Sequence, residues 1–252
     1  MGKVIEFSRK ERGKLPEGFW QQDYLLFSDD YNIKKDDLPP GNKMPAGAEI
    51  TLHPGNDARL LVNEQLLRML ALSPRDIREA VFITAQKILR FRYVYRRPEN
   101  FLPFTNFIKI VSNYVNRFGS MVLDNNGLHC WFPEKWLKIM DSDNFDFKNH
   151  LTLHSVLEKE SDRYWIHTHG MVQFGCPDLE IRMVSSKGMS ATLKLISRLS
   201  CYLIKNGPVF KEGCRIAILR GLCWVTFKHC REIPGESHYR NNYYRIFVTV
   251  RK

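Results

Sequence analysis

Strict alternation of apolar and polar residues is strongest in QKILRFRYVYRR, residues 86–97. Side chains at every second position of a strand point to the same face of its sheet. The alternation therefore predicts a strand with one apolar face and one basic face. These faces consist of Leu89, Phe91, Tyr93 and Tyr95 on one side and of Arg90, Arg92 and Arg96 on the other.

Apolar residues at helical spacing follow in two long stretches. FTNFIKIVSNYVNRFG (residues 104–119) places its apolar side chains on one stripe and ends in Gly119, where a left-handed residue would close a helix. SATLKLISRLSCYLIKNGP (residues 190–208) repeats the pattern and ends in glycine and proline, which commonly follow the end of a helix. Two shorter helices are expected in residues 63–72 and 73–83.

Shorter apolar runs predict further strands. RYWIHTHGMVQF (residues 163–174) and LEIRMV (179–184) flank a turn at residues 175–178 and predict a hairpin. SMVLD (120–124) and three runs near the end of the chain, CRIAIL, LCWVTFK and YYRIFVTV, add more strands. Together with the two long helices, they predict an α+β fold in which a largely antiparallel sheet is covered on one face by these helices. The order of elements over residues 86–227 also permits a ferredoxin-like core.

The first 58 residues lack a sustained period. KKDDLPPGNKMPAG combines adjacent opposite charges with prolines and glycines, while an aromatic cluster around Trp20 and Tyr24 suggests that part of the segment docks on the body. We therefore expect an extended N-terminal arm over residues 1–58 and a single α+β domain over residues 59–252.

The positive net charge favours anionic partners but does not select one class of them. The net charge of +11 favours phosphates, acidic proteins or anionic surfaces. No apolar run approaches the roughly 18 residues of a membrane span, and the first residues lack the apolar core of a secretory signal, so we expect a cytoplasmic protein without membrane association. The six cysteines form no C-x-x-C pair and are expected to be reduced.

His167 and His169 are the strongest chemical feature. On a strand they share a face, about 6.6 Å apart, with Trp165 beside them. Two imidazoles at this spacing can share zinc or iron, and Asp178, Glu180, His154 and Cys176 are candidates for a third ligand. No established metal or nucleotide motif is present, so we expect no cofactor. The principal interpretation is that the two rings form structural hydrogen bonds. The alternative is that His167 and His169 bind a metal. Cys176 is interpreted as a turn residue rather than a nucleophile.

The arginine face supplies a second candidate site. Arg90, Arg92, Arg96 and Arg245 are expected to meet phosphates or carboxylates, with Trp165 as a further binding residue. A solvated sheet face is the equally simple alternative. Neither a helix-turn-helix nor an RNA-recognition motif is present to favour nucleic acid.

The segment from Thr168 to Glu180 resembles the signature of uncharacterised bacterial domains of unknown function, which contain a Thr-His-Gly-apolar element, a Phe-Gly and a Pro-Asp-Leu-Glu. The matching positions are Thr168, His169, Gly170, Phe174, Gly175, Pro177, Asp178 and Glu180. The preceding helix and SMVLDNNG, with Asp124, are similar to the segment before that signature, so the likeness extends over residues 80–210. The resemblance implies a small module without established activity, in some relatives associated with bacterial conflict or immunity.

Three functions follow as hypotheses. The first is a cytoplasmic bacterial interaction module that binds an acidic protein partner through its basic face. The second is nucleic-acid binding through the same arginines. The third is a metal-dependent hydrolase centred on His167 and His169, with Asp178 or Glu180 as the base.

Overall fold

The chain forms two compact units in the computed structural model, which divide between His150 and Leu151. The structure describes residues 19–40, 43–62, 84–119, 121–140, 145–158, 161–207, 215–218, 223–230 and 245–251, with the backbone alone in the last three ranges. We call the described residues up to His150 the first unit and those from Leu151 the second unit.

An antiparallel five-stranded sheet forms the first unit. Its strands are β1 (Phe19–Ser28), β2 (Ala48–Pro54), β3 (Lys87–Arg96), β4 (Met121–Asp124) and β5 (His129–Trp131). They lie in the order β2-β3-β1-β4-β5, so β1 is the central strand. Among its described residues this unit has three helices: α1 (Ala58–Leu61), α2 (Leu102–Phe118) and α3 (Pro133–Ile139).

The register of β1 against β3 explains the apolar face that the sequence predicts. Tyr24 pairs with Phe91 and Leu26 with Leu89, which places aromatic and aliphatic side chains on one side of the sheet. Helix α2 packs there: the rings of Tyr93 and Phe107 have centroids 4.9 Å apart. The predicted face of Leu89, Phe91, Tyr93 and Tyr95 is buried, as expected.

Gly119 ends α2 in a different way from the one expected. Its φ of −86° is not left-handed. A Cβ at this position would lie 2.7 Å from Cδ1 of Leu26 and 2.9 Å from the carbonyl oxygen of Val115. Glycine is therefore required by the close approach of the helix end to the sheet and not by its backbone angle.

A buried ion pair lies on the other side of the same sheet. Asp23, on the central strand, is 2% exposed. Arg90 donates to it twice, from Nε at 2.9 Å and from Nη2 at 2.7 Å, and Asn125 Nδ2 donates at 2.8 Å. These bonds raise the pKa of Arg90. The carboxylate thus joins β1, β3 and the turn after β4.

A six-stranded sheet forms the second unit. Its strands are β6 (Thr152–Glu158), β7 (Arg163–His169), β8 (Leu179–Val184), β9 (Arg215–Ile218), β10 (Cys223–Cys230) and β11 (Arg245–Arg251). They lie in the order β6-β7-β8-β11-β10-β9, and among these described pairs β8–β11 is the parallel one. Helix α4 (Met189–Asn206) packs against β7 and β8 and buries Ile196, Leu199 and Leu203.

The α+β class and the antiparallel pairing that the sequence predicts are confirmed, but the arrangement differs from one sheet under two helices. The long helices α2 and α4 belong to different units, each with its own sheet. A ferredoxin-like core over residues 86–227 is not confirmed, because strands before and after His150 belong to different sheets.

The domain boundary also differs from the one expected. Residues 19–28 and 48–54 form strands of the first sheet, whereas an extended arm was expected over residues 1–58. The central strand is covered on both faces and therefore shows no alternation in sequence. The two short helices expected in residues 63–72 and 73–83 lie outside the described residues. Among the described helices, none has the length and apolar character needed to cross a membrane.

The ion pair of Asp23 generates a stability prediction. Asp23→Ala should lower the free energy of unfolding by about 2 kcal/mol, because Arg90, whose side chain is 33% exposed, and Asn125 lose the buried carboxylate that accepts their hydrogen bonds. Urea denaturation measures the change. Glu49→Ala is the matched control, since its contact with Arg92 is 3.8 Å long and exposed; it should cost less than about 0.5 kcal/mol. Equal effects of the two variants would contradict the assignment.

Candidate functional site: a three-histidine cluster

The antiparallel pairing of β6 with β7 brings three histidines to one face of the second sheet. His154 on β6 lies directly opposite His167 on β7, and His169 lies two residues further along β7. Directly paired residues and residues two apart on one strand point to the same face. The three imidazoles therefore converge on a single patch of the sheet.

The rings lie within reach of one shared ion. One ligand nitrogen from each histidine can be chosen so that all three lie within 4.8 Å of one another. The ring centroids of His154 and His169, and those of His167 and His169, are 4.9 Å apart. His167 and His169 are 2% and 3% exposed, while His154 is half-buried. The cluster is thus closed on the β7 side and accessible on the β6 side.

A second layer of side chains surrounds His167 on the same face. Glu180 on β8 pairs with His167 across the β7–β8 hairpin and is fully buried. Trp165 donates from Nε1 to Glu180 Oε2 at 3.1 Å, and its ring lies 4.3 Å from the ring of His167 between centroids. Arg182 lies over Trp165, with its Cζ 4.7 Å from the ring centroid, and its Nε is 3.5 Å from Glu180 Oε1. Trp165, Glu180 and Arg182 therefore fix one wall of the histidine cluster.

The connection from β7 to β8 holds the opposite face of β7 in place. Thr168 donates to Asp178 Oδ1 at 3.0 Å and accepts from the backbone N–H of Leu179 at 2.8 Å. The backbone N–H of Met171 also donates to Asp178 Oδ1, at 3.3 Å. Gly170 and Gly175 have φ of 98° and 62°, which are left-handed values that favour glycine. Asp178 thus bonds a turn amide, and its carboxylate is engaged away from the histidines.

The local fold of the site differs in one way from the one expected. The expected strand over residues 163–174 ends at His169, and Met171–Phe174 is a short 3-10 helix. Both histidine rings of β7 are buried, and Trp165 and the other imidazoles lie against them. Of the four candidates for a third ligand, the structure brings His154 to the pair.

The remaining candidates have other roles. Glu180 lies beside His167 but is held by Trp165 and Arg182. Cys176 is fully buried and its thiol contacts the carbonyl oxygens of Phe174 and Leu203 at 3.4 and 3.7 Å, so it is a packed turn residue.

The arginine face of the first unit is largely engaged within the protein. Arg90 is bound to Asp23, and Arg92 lies 3.8 Å from Glu49. Arg96 is exposed at the end of β3. Only the backbone of Arg245 is described, on β11 opposite Cys230. Among these predicted binding residues of the first unit, Arg96 therefore presents its charge to solvent most openly.

One buried polar group of the first unit was not expected from the sequence. The hydroxyl of Tyr24 is hydrogen-bonded to His150 Nδ1 at 3.1 Å, and that nitrogen lies 3.6 Å from Asp124 Oδ2. Burial, and then the charge of Asp124, raise the pKa of Tyr24. All three side chains are fully buried, and Asp124 Oδ1 also accepts from the backbone N–H groups of Asn126 and Gly127. The group fixes the turn after β4 rather than facing a ligand.

The geometry of the histidine cluster fits a small transition-metal ion. A zinc ion about 2.0–2.1 Å from each nitrogen needs nitrogens about 3.3 Å apart in a tetrahedral site. Starting from separations within 4.8 Å, each nitrogen has to move by about 1 Å or less. Neutral imidazole is a common ligand of zinc, copper, iron and nickel.

One stretch of this unit is similar to a known protein domain that has no assigned activity. Residues 153–240 match the sequence profile described as "Protein of unknown function (DUF4026) C-terminal". The resemblance to a domain of unknown function is thereby confirmed; the matched region contains all three histidines, and Asp124 lies outside it. Neither the curated proteins nor the solved structures contain a match.

The turn network predicts how substitutions of Asp178 behave. Asp178→Ala should lower the free energy of unfolding by about 2–4 kcal/mol, because it leaves the Thr168 hydroxyl and the Met171 N–H buried without their acceptor. Asp178→Asn keeps an oxygen at the same position and should cost within about 1 kcal/mol. Chemical denaturation of the two variants checks the order. Similar losses for both would show that the two hydrogen bonds do not hold the turn.

Proposed function

We propose that the second unit is a metal-binding domain in which His154, His167 and His169 hold one divalent ion of the zinc class. The observation that carries the proposal is the convergence of three imidazoles from two paired strands, with ligand atoms within 4.8 Å of one another. A purely structural role, such as a hydrogen bond, can account for a single buried histidine. It gives no reason for three imidazoles to converge at one point of a sheet face.

The ligand set favours an ion of intermediate softness. Three nitrogen ligands suit zinc, cobalt, nickel or copper and are poor ligands for magnesium or calcium, which prefer oxygen. Trp165, which is hydrogen-bonded to Glu180, packs against the ring of His167, and such supporting contacts raise metal affinity by orienting the ligand. We therefore infer selectivity for late first-row metals over the alkaline-earth ions.

The three ligands found among the described residues leave one position of a tetrahedral ion for water or substrate. Catalytic zinc sites have this composition, whereas structural sites are closed by four protein ligands. Neutral imidazoles also leave the charge of the ion uncompensated, which makes a bound water more acidic and favours anionic ligands. When bound, the ion supplies an activated water. Metal-dependent hydrolysis is the reaction class that this arrangement serves best.

Glu180 is the better of the two carboxylates proposed as the base. It lies on the histidine face of β8, next to His167 in the β7–β8 register. Asp178 is committed to Thr168 and to the backbone of Met171 on the other side. The hydrogen bond from Trp165 and the contact with Arg182 would hold Glu180 in place while it accepts a proton.

The net charge of +11 supports a second candidate function, association with an anionic partner. An acidic protein remains the partner that we propose first, with nucleic acid as the alternative, in the cytoplasm of a bacterium. The ion pairs of Arg90 and Arg92 leave less free charge on this face than the sequence suggests. Titration with DNA or RNA at increasing salt separates the alternatives, since a nucleic-acid complex weakens linearly with the logarithm of the salt concentration.

Metal binding is the first test of the proposal. Purified protein freed of metal and titrated with zinc should bind one ion per chain by calorimetry. At a free zinc concentration a hundred times the dissociation constant, binding should stabilise the fold by about 2.7 kcal/mol. His154→Ala, His167→Ala and His169→Ala should each weaken zinc binding by at least about 100-fold, because each removes one ligand.

His53→Ala is the matched control. His53 is a partly exposed histidine of the first unit, bonded to Thr51 and near Asp57, and its loss should leave zinc binding unchanged. Far-UV circular dichroism of each variant checks that the sheets are intact. Zinc binding that survives all three cluster substitutions would sink the proposal.

Hydrolysis is the second test. Zinc-loaded protein should cleave an activated ester such as p-nitrophenyl acetate, and azide should inhibit the reaction by occupying the open position. Glu180→Gln should lower kcat/KM by about 100-fold with one zinc still bound, as expected for loss of a general base. Asp178→Asn should retain the rate. A rate that is insensitive to zinc removal, or equal effects of the two variants, would contradict this role for Glu180.

A further inference from the structure

Strand β6, which carries His154, has one edge without a neighbouring strand among those that the structure describes. It is the first strand in the order of the second sheet and pairs only with β7 there. It is seven residues long. A free edge of this length presents a row of backbone donors and acceptors that can pair with another strand.

The residues of β6 lack the features that usually prevent another strand from pairing with such an edge. Residues 152–157 contain no Asp, Glu, Lys, Arg, Pro or Gly, the residues that commonly prevent strand addition. Val156 and Leu157 are each 45% exposed and point to opposite faces of the sheet. By contrast, β9 at the other edge is shorter and begins with an arginine, and the edge strand β2 contains Glu49 and ends in a proline. Among the described edges, β6 is the longest apolar one.

We propose that β6 pairs antiparallel with β6 of a second copy of this chain. The sequence of the strand is complementary to itself about its middle residue, Ser155. With the two-fold axis at Ser155, all seven residues are paired. Leu153 then lies opposite the partner's Leu157, and Glu158 lies opposite the partner's Thr152. Apolar residues meet apolar residues, and no like charges face each other.

Other registers are less favourable. A two-fold axis perpendicular to the sheet leaves each side chain on its own face, so two residues can pair only if they belong to the same face. The register can therefore change only in steps of two positions along the strand. Shifting the axis from Ser155 to its neighbours shortens the paired segment at both ends. Centring on Ser155 is thus the register with the most backbone hydrogen bonds.

The pairing also affects the histidine cluster. His154, the half-buried member, lies opposite the partner's Val156 in this register. The partner's Val156 then lies beside His154 at the edge of the cluster and adds no ligand, and the sheet face continues from one copy to the other. This inference concerns the edge strand and stands whether or not the histidines bind metal.

The first experiment measures mass in solution. Light scattering after size exclusion should give twice the chain mass of 29.7 kDa for the full-length protein over a concentration series. Leu157→Lys should shift the mass to that of the monomer, because it places a charge opposite an apolar residue at the interface. Tyr202→Lys is the matched control, since Tyr202 is a similarly exposed residue on α4, and it should remain dimeric. A wild-type protein that is monomeric throughout the series would overturn the proposal.

A cross-link tests the register itself and does not depend on the lysine variant being folded. Ser155→Cys places two cysteines directly opposite each other, with Cα atoms about 4.5–5.5 Å apart, which is within the range that a disulfide spans. Val156→Cys places its two copies more than about 7 Å apart and should not cross-link. Under mild oxidation, Ser155→Cys should run as a covalent dimer on a non-reducing gel and Val156→Cys as a monomer. Equal cross-linking of the two, or none in Ser155→Cys, refutes this register.

Discussion

The two-residue period of the strands, combined with the register of β6 against β7, determines the chemistry of the second unit. His154 meets His167 only because the two residues are paired, and His169 joins them only because it is two positions further on. A slip of β6 by a single residue would turn His154 to the opposite face and separate the three rings. The contacts that fix this register therefore belong to the site as much as the three histidines do.

Buried carboxylates have a corresponding structural role in both units. Asp23 joins the central strand of the first sheet to β3 and to the turn after β4. Asp178 joins the end of β7 to the backbone that leads into the 3-10 helix and β8. Each of them places a charge in the interior, where it is stable only with its hydrogen-bond partners in position. Such groups select one arrangement of the strands over its neighbours, which apolar contacts alone do with less discrimination.

Much of the fold could be predicted from the sequence because its elements have one buried side. The arginine-bearing strand β3, the helices α2 and α4 and the β7–β8 hairpin all show the period of their secondary structure. The central strand β1 could not be recognised in this way, since it is buried on both faces and includes Gln22 and Asp23 in its interior. The division of the strands into two sheets could not be predicted from the sequence either. An amphipathic pattern indicates which side of an element is covered but not which element covers it.

The site was predictable only in part for a related reason. His167 and His169 are neighbours in sequence, and their spacing shows that they share a face. His154 is separated from them by a turn, and its place opposite His167 follows from hydrogen bonds between strands that no local pattern specifies. The arginine face illustrates the converse. The alternation located Arg90 correctly, but its partner Asp23 comes from a strand that the sequence did not reveal.

The position of His154 on an outer strand has a kinetic consequence. Within a single copy of the chain β6 is an outer strand, and outer strands open locally at a lower free energy than the interior of a sheet, without unfolding the rest of the domain. When β6 detaches, one of the three imidazoles leaves and the two on β7 remain in place. The rate at which an ion bound by the three imidazoles would leave then depends on how often this strand opens. The local stability of β6 therefore sets the residence time of such an ion.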